Sequence, residues 1–83
     1  MSVHIAITKH AQKQNTIIRE FIYLDQKREE YIEEVISQCK NGETFTTEKI
    51  NQVTLKINEL AKSGKTPQRK YVTIDMVQEY VNK

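Results

Sequence analysis

Tryptophan is absent from this 83-residue chain, cysteine and proline occur once each, and glycine occurs twice. So few turn-forming residues exclude a β-sandwich or β-barrel, because those folds need a turn after each short strand. A single cysteine excludes an internal disulfide framework and is typical of proteins from a reducing compartment. We therefore expect a cytoplasmic protein built from helices.

Long apolar runs and a strong net charge are also missing. The longest uninterrupted apolar stretch is residues 21–24, whereas a membrane-spanning helix needs about 20 such residues. The net charge of +2 is too small to indicate a polyanionic partner by itself. The short apolar run leads us to expect no contact with a membrane. Because a chain of this length has room for one core, we expect a single helical domain over residues 1–83.

Hydrophobic side chains recur at intervals of three and four residues along the first half of the chain, where residues 3–41 contain neither glycine nor proline. This spacing predicts one long helix over about residues 3–40. Its end is predicted at Gly42, since glycine best tolerates the left-handed conformation that often follows a helix. A break near Asn15, with a separate short helix before it, is the alternative.

Two shorter helices are predicted after the long one, over about residues 47–62 and 74–82. Each begins with a threonine that can cap the first turn, flanked by two hydrophobic residues that can pack on each other across the cap. These sets are Thr46 with Phe45 and Ile50, and Thr73 with Val72 and Val77. The predicted fold class is therefore all-α, a helical bundle of one long N-terminal helix followed by two shorter helices.

The apolar stripe of the long helix is predicted to be longer than the part of it that the two shorter helices can cover. A helix of about 35 residues is roughly 50 Å long, and its apolar stripe must be buried against something. We predict a homodimer with antiparallel long helices, or a higher homo-oligomer, with a monomeric three- or four-helix bundle as the alternative. The candidate oligomer face consists of apolar and aromatic side chains on this helix: Ile18, Phe21, Leu24, Tyr31 and Ile32.

Residue patterns typical of catalysis or metal binding are not found. His4 and His10 are six residues apart, so they do not share a helical face as paired metal ligands would. Cys39 lies on the apolar stripe and is interpreted as a small buried hydrophobic residue. With no glycine-rich phosphate loop and no recognisable serine–histidine–carboxylate set, we predict no catalytic, metal or cofactor-binding residues, no cofactor and no enzymatic activity.

A basic segment between the second and third helices supplies the candidate interaction residues, which are Lys62, Lys65, Arg69, Lys70 and Tyr71. Weak nucleic-acid binding through this segment is the alternative function, although the connection between the helices is far longer than in a helix-turn-helix. The sequence leaves open whether residues 63–72 are ordered. The charged stretch 25–30 of the long helix is predicted to be a solvated turn, and the basic segment is a candidate partner for the carboxylates near it.

The chain resembles, over essentially its whole length, the small uncharacterised YpbS-like proteins of spore-forming Gram-positive bacteria. The segments that carry this resemblance include Lys49-Ile50-Asn51 and Pro67-Gln68-Arg69-Lys70, and the full set is residues 1–4, 49–51, 53–54, 60–62, 67–70, 72–73, 76–77 and 79–81. None of them is a catalytic signature, so the resemblance implies a bacterial cytoplasmic protein, and no active site, cofactor or partner can be carried over from the family. From the apolar face of the long helix we predict a non-enzymatic module for oligomerisation or for binding an unidentified protein partner.

Overall fold

Three α-helices form the computed structural model of the chain, which describes the backbone of residues 2–83 and the side chains of residues 16–83. They are α1 (Ser2–Lys40), α2 (Glu48–Ala61) and α3 (Ile74–Val81), and no strand occurs between residues 2 and 83. The predicted all-α class, with a long first helix and two shorter ones after it, is confirmed.

The end of α1 is set by Gly42, which adopts a left-handed φ of 73°. The amide of Glu43 donates to the carbonyl of Gln38 at 2.9 Å, and the amide of Gly42 donates to the carbonyl of Cys39 at 3.2 Å. This pair of bonds is a Schellman motif, which satisfies carbonyls that the last turn would otherwise leave free. The predicted helix end at Gly42 is confirmed, and the chain reverses direction there into α2.

Both shorter helices pack on the same half of α1 instead of lying end to end along it. Thr54 of α2 contacts Arg28, while Val77 of α3 packs in one cluster with Val35. By length, α1 spans about 58 Å, whereas α2 spans about 21 Å and α3 about 12 Å. The molecule is accordingly 61 Å long and only 20 by 19 Å across, with α1 setting its long dimension.

The hydrophobic core is small and lies where the three helices meet. Ile50 and Ile57 of α2 are completely buried, and so is the hydroxyl-bearing Thr54 between them. One cluster joins Val35, Ile50, Val72 and Val77 from all three helices and from the segment before α3. Its partly buried neighbours are Tyr31, Ile32, Ile36, Cys39, Phe45 and Val81.

The two predicted threonine caps have different outcomes. Thr73 is the N-cap of α3, and its hydroxyl oxygen accepts a hydrogen bond from the amide of Met76 at 3.2 Å, as expected. The prediction for Thr46 is wrong, because the N-cap of α2 is Thr47 and its side chain makes no capping bond. The reason lies in the backbone of Thr47, whose ψ of 12° departs from the extended conformation that a capping side chain needs.

Replacing each threonine by alanine tests this difference. Thr73→Ala should lower the free energy of unfolding by about 1 kcal/mol, because it removes a side-chain cap. Thr46 is exposed and lies outside the cap, so Thr46→Ala should leave stability nearly unchanged. Urea unfolding followed by circular dichroism measures both, and equal losses in the two variants would contradict the assignment of Thr47 as the N-cap.

Candidate interaction surfaces

Residues 69–72, here named the clamped segment, run along α2 in an irregular conformation and are held there by asparagine side chains. Asn58 makes both available backbone bonds to Arg69: its Oδ1 accepts from the amide at 2.9 Å and its Nδ2 donates to the carbonyl at 3.1 Å. Asn51 does the same for Val72, at 2.8 Å and 2.9 Å. Each amide therefore replaces the neighbouring strand that an extended segment would have in a sheet.

The spacing of the two asparagines fits the segment that they hold. Asn51 and Asn58 are seven residues apart, which is two helical turns or about 10.5 Å along α2. Arg69 and Val72 are three residues apart, which is about 10 Å in an extended chain. The two distances agree, which fits the observation that Asn51 and Asn58 bond the two ends of the clamped segment.

Arg28 of α1 also forms a hydrogen bond with the clamped segment. Its Nη2 donates to the carbonyl of Lys70 at 2.8 Å, and its Nε donates to the hydroxyl oxygen of Thr54 at 3.0 Å. The same hydroxyl donates to the carbonyl of Ile50 at 2.8 Å, so the buried Thr54 is satisfied in both directions. One guanidinium group thus connects α1, α2 and the segment that leads into α3.

Asp25 and Arg69 form an ion pair across the same junction. The Nε–Oδ1 distance is 3.0 Å and the Nη2–Oδ2 distance is 3.4 Å, with the two side chains 27% and 34% exposed, respectively. The guanidinium also lies 5.3 Å from the centre of the Phe21 ring. The prediction that stretch 25–30 is a solvated turn is therefore wrong for Asp25 and Arg28, which face the clamped segment.

The hydrogen bond that Arg69 donates to Asp25 raises the pKa of Arg69. Desolvation lowers this pKa, whereas the negative charges of Asp25 and Glu29 raise it further. A raised pKa in the folded state means that the stabilisation is complete below the ordinary pKa of arginine and is lost only as pH rises beyond it. Since that ordinary value lies far above neutral pH, Arg69 keeps its charge around neutral pH and the pair contributes there.

The structure separates the basic segment into engaged and exposed cations. Arg69 is occupied by its ion pair, and Lys62 lies 3.2 Å from the glutamate three residues before it in α2. Lys65 and Lys70 are exposed, and Tyr71 is 49% exposed. Of these five residues, Arg69 is engaged with another element of the chain, and no contact of the described residues supports the nucleic-acid alternative.

The five side chains of the candidate oligomer face also differ in how far they are exposed. Ile18 is 43% exposed, Phe21 is half-buried, and Leu24 is covered within the chain at 8%. Tyr31 and Ile32 pack against the core cluster and are half-buried. Leu24 therefore has little surface left to offer a second molecule, and among these five the exposed apolar surface is concentrated at Ile18.

Ile22 was missed among the candidates, although it is 56% exposed. The signal that identifies it is position: it follows Ile18 by four residues, so both project from one face of α1. That face points away from α2, whose contacts involve Leu24, Arg28 and Val35 at other angles around the helix. The two exposed isoleucines therefore lie on a side of α1 that the rest of the described chain leaves uncovered.

A groove of about 410 Å³ lies between α1 and α3. Its apolar lining includes Ile32 and Ile36 of α1 together with Met76, Val77 and Tyr80 of α3. Met76 is 44% exposed and Tyr80 is 61% exposed, so the α3 side of the groove is largely uncovered. On the α1 side, the carboxylates of Glu29 and Glu33 line it.

Within residues 16–83, no group of three or more histidine, cysteine or carboxylate side chains is placed to hold a metal ion. Cys39 is half-buried against the core cluster, whereas His4 and His10 lie outside the residues whose side chains are described. Among the described residues, no helix combines the length and the apolar character that crossing a membrane requires.

A family model described as "Protein of unknown function (DUF2533)" matches residues 1–83 of the chain. The chain belongs to this family. The chain is similar to the "Uncharacterized protein YpbS" of Bacillus subtilis (strain 168). The two sequences are 44% identical over 81 residues, which cover 98% of this chain and 95% of the relative. No solved structure matches the chain. The family resemblance expected from the sequence is confirmed.

The asparagine clamp of this DUF2533 protein can be tested by removing one amide. Asn51→Ala deletes both bonds to Val72, which is only 9% exposed and cannot recover them from water. We expect a loss of about 2 kcal/mol in the free energy of unfolding, measured by urea denaturation. Gln52→Ala changes the adjacent exposed amide on α2 and should be nearly neutral. Equal effects of the two substitutions would contradict the clamp.

The Asp25–Arg69 ion pair can be measured with a double-mutant cycle of Asp25→Ala and Arg69→Ala. Since the pair is bidentate and partly buried, we expect a coupling energy of about 1 kcal/mol that decreases in high salt. The exposed pair of Lys62 and Glu59 is the matched control, and its coupling should be close to zero. Additive effects of the Asp25 and Arg69 substitutions would show that the pair has no structural importance.

Proposed function

We propose that this protein is a cytoplasmic, non-enzymatic module that self-associates through the N-terminal half of α1. The observation that supports the proposal is the length of α1, which is nearly three times that of α2 and about five times that of α3. Ile18 and Ile22 lie exposed on a side of α1 that the shorter helices leave uncovered.

The sequence extends this apolar face toward the N-terminus. Ile7, Ala11, Ile18 and Ile22 are separated by four, seven and four residues. At the helical repeat these positions fall within about 60° of one another around the helix axis. Such narrow stripes are typical of helices that pack along a second helix, because they present one seam to one partner.

The energy available from the exposed isoleucines alone is limited. Ile18 and Ile22 are each about half exposed, so covering both of them in two copies contributes on the order of 4 kcal/mol. A micromolar complex needs about 8 kcal/mol after the costs of association. A stable dimer therefore requires contacts along most of the N-terminal half of α1, and we expect association at micromolar concentrations and not far below.

Contacts within the chain support a structural role for the charged residues at the junction of the helices. Asp25, Arg28 and Arg69 are committed to bonds that hold the helices and the clamped segment together. Side chains that serve catalysis are usually open to a substrate in a cleft. These three are occupied by the chain itself, which favours a scaffold over an enzyme.

Substituting a carboxylate into the exposed stripe tests self-association. Ile22→Glu and Ile18→Glu should each shift the protein toward the monomer, because each places two charges in an apolar interface. Leu55→Glu is the matched control, since Leu55 is 52% exposed on α2 and lies away from the stripe. Light scattering after size-exclusion chromatography measures the mass. A parent protein that is monomeric at micromolar concentration would overturn the proposal.

A further inference from the structure

We propose that residues 69–81, here named the lid, open and close as one unit on a hairpin of α1 and α2 that stays folded. The lid consists of the clamped segment, Thr73 and α3. Its opening uncovers the apolar surface of α1 that packs with Val77 in the closed form, so the lid controls when that surface is exposed. The inference does not depend on the proposed self-association.

The lid is attached to the hairpin at few apolar points. Val72 and Val77 are buried, at 9% and 4% exposed, and Arg69 and Val81 are half-buried. The remaining side chains of the lid are exposed. Segments with few buried apolar contacts are the ones that open locally while the rest of a protein stays folded. The lid is therefore the part of residues 16–83 best suited to local opening.

The helical structure of α3 depends on its contact with α1. The two shorter helices do not pack on each other, since no pair of their Cα atoms lies within 8 Å. Within residues 16–83, no hydrogen bond or ion pair joins a side chain of α3 to α1 or α2. An eight-residue helix is too short to be stable by itself in water. We therefore expect α3 to unwind when Val77 and Val81 leave α1.

Val72 couples the clamped segment to α3. Its amide and carbonyl bond Asn51 at 2.8 Å and 2.9 Å, and its side chain packs in one cluster with Val77. The next residue, Thr73, caps α3 through the amide of Met76. When the backbone of Val72 leaves Asn51, the cap and the side chain beside Val77 are displaced with it. The clamped segment and α3 should therefore open together.

The hairpin has buried residues of its own that do not depend on the lid. Ile57 is completely buried and Leu24 is 8% exposed, and neither belongs to the cluster that contains Val77. The hydrogen bond from Arg28 to Thr54 also joins α1 to α2 directly. These contacts remain in place when the lid is open, so the hairpin can stay folded.

Residues 62–68 provide a hinge between α2 and the lid. Their hydrogen bonds run to the last turn of α2 or to one another, and within residues 16–83 none of them reaches α1 or α3. Gly64 has a left-handed φ of 77°, and a Cβ placed there would have no atom within 4 Å. The lid can therefore turn away at this loop without breaking a bond between the hinge and another helix.

Native-state hydrogen exchange followed by NMR tests the lid. We expect the amides of Arg69, Val72 and Val77 to have protection factors within about threefold of one another, and about a hundredfold below that of Ile57. Equal protection at Val77 and Ile57 would show that the lid opens only when the whole chain unfolds. Protection at Val72 and Val77 that differs more than about tenfold would show that the clamped segment and α3 open separately. Either result would overturn the proposal.

Ile57→Val separates opening of the lid from unfolding of the whole chain. Because residue 57 belongs to the hairpin, the substitution destabilises the closed and the open form equally. Exchange in the lid should therefore be unchanged, while exchange at residue 57 becomes about fivefold faster. Equal acceleration at residues 57 and 77 would contradict a separate opening of the lid.

Asn51→Ala tests the coupling between the clamped segment and α3. It removes both bonds to Val72, and we expect exchange of the Val77 amide to become about thirtyfold faster, although Asn51 bonds no residue of α3. Gln52→Ala is the matched control on α2 and should leave this exchange unchanged. Unchanged exchange at Val77 in Asn51→Ala would mean that α3 opens alone, and the lid would not be one unit.

Discussion

The contact of Arg28 with the backbone of residue 70 is the constraint on which the arrangement of the helices depends. Arg28 is the side chain of α1 that bonds both α2 and the clamped segment, at 3.0 Å and 2.8 Å. Removing one partner of a half-buried guanidinium leaves a charged group without its bonds, which costs more than the bonds themselves contribute. The hydrophobic core beside it is small, so polar contacts determine where the segment before α3 lies and hence where α3 can pack.

Side-chain amides do in this fold what a neighbouring strand does in a sheet. An extended segment packed on a helix has backbone groups that the helix cannot satisfy, because the helix uses its own amides and carbonyls internally. Asn51 and Asn58 supply the missing donors and acceptors with a spacing that fits two helical turns. This explains how a segment with almost no regular structure serves as the third component of the junction beside α1 and α2.

Local patterns in the sequence predicted the helices, the glycine at the end of α1 and the cap at Thr73, because each depends on neighbours within one turn. The cap at Thr46 could not be predicted, since the same residue types fit a cap one position later and the backbone of Thr47 decides between them. The pairing of Asp25 with Arg69 and of Arg28 with Lys70 joins residues more than 40 positions apart. Such contacts leave no periodic signal in a single sequence, so charged residues that hold the fold together look like ordinary solvated ones.

The long reach of these contacts has a consequence for synthesis on the ribosome. Arg28 and Asp25 emerge early in translation, but their partners at residues 69 and 70 follow 42 to 44 positions later. Until those partners leave the exit tunnel, a nascent α1–α2 hairpin exposes the apolar surface that α3 covers and keeps its central charges unpaired. The junction of α1, α2 and the clamped segment can therefore form only after residues 69 and 70 have been synthesised.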